Sequence, residues 1–200
     1  MNQQEFWNEK FKRDGYLYGK KPNEFLASCI NNFSKKERIL FLGEGEGRNA
    51  VFFAKKGYEV RALDASDIGL SKLQEFAKEE KVHIKTTCLD LIKWRAKKKF
   101  GGILASYLHL ESPLREQVFS RIEDGLKEGG FFVGEFFSTK QLNFSSGGPK
   151  DEHLLYTLDS FKEIFKFCKI HKLTEEEIVL NEGKGHKGKA CVIRLIIEKL

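Results

Sequence analysis

Residues 39–50 read ILFLGEGEGRNA. A short apolar run stops at Gly43. Glycine then recurs at every second place, at Gly45 and Gly47, with Glu44 and Glu46 between. The run has the length of a buried strand, and RNAVFFAKK (48–56) follows with helical spacing and stops at Gly57. A backbone that must touch a ligand cannot carry side chains on that surface, which explains glycine between a strand and a helix. The helix starting near Arg48 aims free N–H groups at the same place. The spacing, however, is GxGxG. A dinucleotide fingerprint places its third glycine one residue later, and Glu44 and Glu46 are poor company for a pyrophosphate. Both facts argue against NAD and against a dehydrogenase.

The same alternation continues along the chain. YEVRALD (58–64) is the next strand. IGLSKLQEFAKEE (68–80) places Ile68, Leu70, Leu73, Phe76 and Ala77 on one helical face. VHIKTTCLD (82–90) and FGGILASYLHL (100–110) read as strands, PLREQVFSRIEDGL (113–126) as a helix ended by Gly129-Gly130, and FFVGEFFS (131–138) as a fifth strand. Strands alternating with helices predict an α/β fold, a Rossmann-like parallel sheet with helices on both faces. The tail breaks the rhythm. FKEIFKFC (161–168) is helical, but 169–183 and 189–200 are strand-like and joined only by a short turn around Gly185 and Gly188. So short a connection allows an antiparallel hairpin and no parallel crossover. The N-terminal FWNEKFKR and PNEFLASCI read as short helices flanking an aromatic GYLYG. One domain is expected over 1–200, with 1–35 a helical cap and 36–200 the core.

The net charge of +6 permits a nucleic-acid partner, but the basic residues are scattered, and the one tight run, Lys97-Lys98-Lys99, reads as the exposed lead-in to a strand. Cys29, Cys88, Cys168 and Cys191 form no metal-ligand spacing, so no metal is expected. They read as reduced thiols of a cytoplasmic protein. No apolar run approaches a membrane span and the N-terminus is not a signal peptide, so no membrane partner is expected.

In an open parallel sheet, ligands sit beyond the carboxyl ends of the strands. That rule selects the Gly43–Gly47 turn, Asp64 after the second strand, Asp90 after the third, and Ser106–Leu110 after the fourth. A carboxylate at 64 suits ribose hydroxyls, and one at 90 the exocyclic amine of adenine; each alone is also an ordinary turn or cap residue. Together they describe an adenosine ligand without a phosphate chain and with positive charge, as in S-adenosylmethionine. At this point ILFLGEGEGRNAVFFAKKGYEVRALDAS resembles the first two motifs of the class I S-adenosylmethionine-dependent methyltransferases, closest to their tellurite-resistance and thiopurine methyltransferase-like branch. GYLYGKKPNEFL, GLKEGGFFVGEF and NEGKGHKG are similar to a bacterial subgroup of it. The resemblance implies a seven-stranded, mostly parallel sheet whose last strand is antiparallel. It makes Gly43, Gly45 and Gly47 the cofactor turn, Asp64 the ribose acid, and Asp90 with Leu91 the adenine contacts. Tyr18, Glu44, Arg48, Asn49, Ala65, Ser66 and Tyr107 complete the candidate cofactor set, with Lys20 an alternative to Arg48 for the cofactor carboxylate. One departure stands out: the family's acid two residues before the first glycine is Phe41 here. Either Glu44 takes over its role from the other side of the turn, or Glu44 points to solvent.

The methyl acceptor needs an aligned nucleophile in a dry site. His109, in SYLHLE, is a candidate base or a packing residue. Glu135, inside FFVGEFF, faces either the site or a neutralising partner, because a buried carboxylate is costly alone. His186, in KGHKGK, is placed to swing over the cofactor. Trp7, Tyr16 and Tyr18 are expected to cap the site, and the 138–157 loop, with Gln141 and His153, to shape the acceptor pocket. The reading is a methyltransferase for a small molecule, with a thiol or chalcogen compound as acceptor, as monomer or dimer. A nucleic-acid methyltransferase is the alternative, although SYLHL replaces the Asn/Asp-Pro-Pro-aromatic string of the amine-methylating class. A cofactor-binding sensor without turnover is a third reading.

Overall fold

The computed structural model describes residues 2–200. Five strands form a parallel sheet: β1 (Arg38–Leu42), β2 (Glu59–Asp64), β3 (Lys85–Cys88), β4 (Phe100–Ser106) and β5 (Leu126–Phe137). The long hairpin β6 (Cys168–Glu182) and β7 (His186–Lys199) completes it, with β7 antiparallel to β5. The order is β3-β2-β1-β4-β5-β7-β6, so the strand order reverses between β1 and β4. That reversal opens a crevice at the carboxyl ends of both strands.

Alternate residues of the central strands feed two apolar layers. Ile39 and Phe41 face one layer with α2 (Glu24–Ser28), α3 (Arg48–Lys55) and α4 (Asp67–Glu79). Leu40 and Leu42 face the other, with α5 (Ser112–Gly125) and α6 (Leu158–Ile164). The second layer uses much of the chain's phenylalanine: Phe119 makes edge contacts with Phe132, Phe136, Phe161 and Phe165. Edge-to-face rings of this kind gain a little beyond the area they bury. Phe41 is fully buried against Phe53, so the position that bears an acid in the resembling family is here a core residue.

The departures from sequence reading are local. β3 is only four residues because it is a largely exposed edge strand. β4 stops at Ser106, where Tyr107 takes a left-handed backbone (φ 53°) and turns the chain. α5 ends at Gly125, and Gly129-Gly130 instead lies in a bulge of β5, between Leu126 paired to Phe100 and Phe131 paired to Gly102. α6 starts at Leu158, fixed by the Thr157–Ser160 capping box, and ends before the expected run does.

The N-terminal segment is tied across the sheet's carboxyl edge. α1 (Gln3–Phe11) hangs on the start of α4: Asn8 donates to Asp67 (2.8 Å), and Ser66 donates to Asn8 (2.6 Å). The backbone N–H of Leu17 donates to Glu46 (2.7 Å), which also pairs with Lys72 (2.9 Å). Leu17 O in turn accepts from Lys184 and Gly185 in the β6–β7 turn. One of the two acids in GEGEG is thus an anchor for the cap.

Candidate active site

The turn after β1 is held to the end of β2. Gly43 N donates to Leu63 O (2.8 Å) and Gly45 N to Asp64 Oδ2 (2.8 Å). Gly43, Gly45 and Gly47 all take positive φ (62°, 58° and 93°), which other residues adopt only with strain. Gly43 and Gly45 line a cavity at the crevice. Gly47 does not; it opens α3 with its Cα against Leu73, and an added Cβ would lie 2.5 Å from Leu73 Cγ. Gly47→Ala should therefore cost about 2 kcal/mol in urea denaturation, from strain plus overlap. Wild-type stability would count against this packing role.

Gly47 has no side chain to cap α3, and Glu44 does so. Glu44 Oε1 accepts from Asn49 N (2.8 Å) and Ala50 N (2.7 Å), and Oε2 from Asn49 Nδ2 (3.3 Å). The side chain is buried and lines the cavity, so it does not point to solvent. Burial pushes its pKa up to about 7 against the pull of these hydrogen bonds. Asp64 is also buried. Its two oxygens take Gly45 N and Ser66 N (2.7 Å), and burial raises it to about 6. A carboxylate has about four acceptor directions, so two remain for ligand hydroxyls. Ala65, Asp90 and Leu91 continue the lining; Asp90 also caps the short turn after β3 by accepting Ile92 N (3.0 Å).

The cavity wall carries the carboxylates Glu44, Asp64, Asp90 and Glu111 against one guanidinium, Arg48. Arg48 is itself paired with Glu182: Nη1 lies 2.9 Å from Oε1, and Nη2 donates to Oε2 (3.1 Å). Nη1 is buried and its contact is an ion pair without an aligned hydrogen bond, which leaves an N–H to spare. An acidic cavity over a glycine turn, with one unspent donor, fits a cationic adenosyl sulfonium with an amino-acid end. It does not fit a polyphosphate.

Several expected residues stand elsewhere. Ser66 is fully buried and caps α4 through Gly69 N (2.9 Å), outside the cavity. Lys20 pairs with Glu79 on the surface. Tyr16 packs on Phe76 and donates to Lys72 O, away from the site. Gln141 is buried and pins Ser146 and Gly147, while His153 is exposed. Glu135 is the largest correction. It lines neither this cavity nor the one beside it and accepts from Asn23 Nδ2 (2.6 Å), Tyr107 Oη (2.6 Å) and Arg194 Nε (2.7 Å). Of its two sequence readings, the neutralising partner holds.

Tyr18, Asn49, Tyr107, His109 and His186 do line the cavity. His109 is sandwiched between Trp7 (5.8 Å between ring centres) and Phe137 (6.4 Å). Burial drives its pKa down to about 3, so it stays neutral. His186 is buried against Tyr18 (4.4 Å) and Tyr107 (4.5 Å), and its Nδ1 lies 3.0 Å from Glu182 Oε2. Burial favours a neutral carboxyl at Glu182, but His186 and Arg48 outweigh it and hold the group at about 2. Glu182 is therefore an acceptor, His186 Nδ1 must donate, and Nε2 carries the free lone pair. Burial keeps the His186 pKa below its ordinary value despite this partner. Glu182 and Asn23, which bridges Glu182 and Glu135, were missed from sequence. The only signal for Glu182 was its place in NEGKGHKG, four residues before His186.

A second cavity adjoins the first and shares Gln3, Trp7, Tyr18, His109, Glu111 and His186 with it. Its other walls come from α1, from Gly147–Pro149 and from Lys184-Gly185.

With this geometry stands the match of residues 39–130 to a family described as a methyltransferase domain. Those residues are similar to a methyltransferase domain, and the chain shares its fold with solved structures named as methyltransferases. A protein of Geobacillus sp. (strain WCH70), named provisionally as a methyltransferase, is 30% identical over 143 residues, 64% of this chain and 58% of that one. The chain thus spans under two thirds of this relative. TehB from Haemophilus influenzae superposes with a TM-score of 0.75 at 17% identity, over 100% of this chain and 68% of that one. The N-methyltransferase NodS from Bradyrhizobium japonicum, solved with S-adenosyl-L-homocysteine, gives 0.70 at 11% identity, over 100% and 99%. At such identities the likeness is one of fold. No helix among the described residues is long and apolar enough to cross a membrane.

Proposed function

We propose that this protein transfers a methyl group from S-adenosylmethionine to a small molecule, with a thiol or chalcogen atom as the nucleophile. The observation that carries the reading is the acidic, glycine-floored cavity beside a second one, the two sharing lining residues that include His186. When bound, S-adenosylmethionine supplies a methyl group on a cationic sulfur that departs as a neutral thioether. Gly43 and Gly45 allow close approach of that group, Asp64 offers its unused lone pairs to ribose, and Asp90 with Leu91 faces adenine. Arg48 offers its spare N–H to the carboxylate. Trp7 and Tyr18 exclude water. His186 Nε2 takes the proton that the acceptor loses as its new bond to carbon forms, and Glu182 balances the imidazolium. His109, neutral and weakly basic, serves as a wall.

Labelled S-adenosylmethionine offered with thiols, selenite, tellurite, small phenols and bulk RNA tests this reading. Label is expected in a thiol or chalcogen product. Label only in RNA overturns it, and tight cofactor binding without transfer favours a sensor.

The cavity acids predict a pH dependence. Folding raises Glu44 from 4.5 to about 7 and Asp64 from 3.8 to about 6, by burial in both cases. In the free protein their contribution to stability is full below about pH 4 and is lost as pH rises through 6 to 7. A cationic ligand favours the ionised forms, so its affinity should rise over that same window, about tenfold between pH 5.5 and 8 by calorimetry. Glu44→Gln keeps an oxygen to cap α3 but removes a charge. It should weaken S-adenosylmethionine binding about tenfold at pH 8. Unchanged affinity would sink the idea that Glu44 replaces the acid absent at Phe41.

A further inference from the structure

The two adjoining cavities have opposite charge. The first carries four carboxylates, and its one guanidinium is neutralised by Glu182. The second carries Lys10, Arg13 and Lys184 against a single acid, Glu111. None of these three bases enters an ion pair among the described residues. Two have their positions set by other contacts: Lys10 Nζ sits 5.4 Å over the Phe6 ring, and Arg13 Nε donates to Lys10 O (2.8 Å). They come from α1, the residues after it, and the β6–β7 turn. Those segments meet because Leu17 O takes the N–H groups of Lys184 and Gly185.

The lining of the second cavity also divides by what it shares with the first, which sets an inner end on the shared side and an outer end away from it. Glu111, His109 and His186 lie on the wall shared with the first cavity, whereas the three bases line only the second. An anionic group is repelled by Glu111 at the inner end and attracted at the outer end. A nucleophilic atom at the inner end meets the lone pair of His186.

The geometry points to a small organic acid as the methyl acceptor, its carboxylate held at the outer end by Lys10, Arg13 and Lys184 and its nucleophile at the inner end beside His186. This rests on reading the first cavity as the cofactor site. A cationic donor and an anionic acceptor then occupy neighbouring cavities of opposite charge, which lowers the cost of bringing them together and rejects cationic competitors.

The test measures binding, so that it does not depend on turnover. Protein loaded with S-adenosylhomocysteine is titrated with three thiols of similar size: 3-mercaptopropionate, 2-mercaptoethanol and cysteamine. The acid should bind about tenfold tighter than the neutral thiol at low salt, the sum expected from three exposed charges, and cysteamine weakest. The preference should shrink toward unity near 0.5 M salt, where the Debye length falls below the size of the cavity. The triple variant Lys10→Gln, Arg13→Gln, Lys184→Gln alters exposed side chains only, so the fold is kept, and it should abolish the preference. Equal affinities, no binding of the acid, or a preference that survives the triple variant each overturns the inference. Methyl transfer from labelled cofactor, measured beside it, keeps the two readings apart. Transfer without acid preference removes the anion site and leaves the enzyme. Acid preference without transfer leaves the anion site and removes the enzyme.

Discussion

His186→Gln is expected to lower kcat/KM about a hundredfold at pH 7 for a thiol that is mostly protonated at that pH, the usual worth of a positioned base. The dissociation constant for S-adenosylmethionine should change only severalfold. The tautomer of His186 decides this. Glu182 is ionised, so His186 Nδ1 donates to it and Nε2 is left as acceptor on the wall between the cavities. Burial holds the imidazole below its ordinary pKa, so it is already unprotonated at neutral pH and free to accept. Glutamine fills similar space but cannot take up a proton. The defect should therefore depend on the acceptor. At pH 9 an ordinary thiol is largely thiolate, needs no base, and the loss should shrink below about tenfold. A merely structural role for His186 would give a loss independent of pH. Glu182→Gln tests the same dyad from the other end, because an amide can donate to Nδ1 and leave the proton on Nε2, the wrong tautomer. If both variants keep near wild-type rates at pH 7 on a weakly acidic thiol, the dyad is not the base.

What the sequence made legible, and what it hid, follows from how local each feature is. The strand–glycine–helix turn, Asp64 at the end of β2 and Asp90 after β3 are each set by a few consecutive residues, and periodicity found them. The closing hairpin followed from one short connection. Glu44 stands out by its position, but its role as the cap of α3 depends on Gly47 having no side chain to offer and on the two lying together in the folded turn. Ser66 lies in the motif that carries the resemblance, but its hydroxyl is used up by Gly69 and Asn8. The second cavity was least legible, since α1, the Gly147–Pro149 loop and the β6–β7 turn are far apart in the chain. Glu135 could be read as a buried carboxylate needing a partner. That the partner is Arg194, directly across the β5–β7 ladder, requires the antiparallel register.

Glu135→Ala should destabilise the protein by about 3–5 kcal/mol, the cost of removing one member of a buried ion pair. The side chain is 1% exposed and binds a guanidinium, a phenol and an amide at once. Without it Arg194 keeps only Glu176 (2.8 Å). The Tyr107 hydroxyl keeps no carboxylate partner, though burial and the charge of Glu135 drive its pKa far up and make it a firm donor. The double variant Glu135→Leu, Arg194→Leu should cost clearly less than the sum of the two single losses, because it leaves no orphaned charge, with a coupling of about 2 kcal/mol or more. Urea denaturation midpoints at constant slope read both quantities. A loss under about 1 kcal/mol for Glu135→Ala would show that the surrounding donors find water instead. The consequence reaches the site by packing. Tyr107 holds a left-handed backbone at the end of β4, its ring lies 4.5 Å from both Phe137 and His186, and its N–H donates to Glu135 O. A strained residue of this kind persists only while its surroundings over-determine it. Loosening the hub should thus free Tyr107 to relax, widen the wall beside His186, and lower kcat more than it alters cofactor affinity.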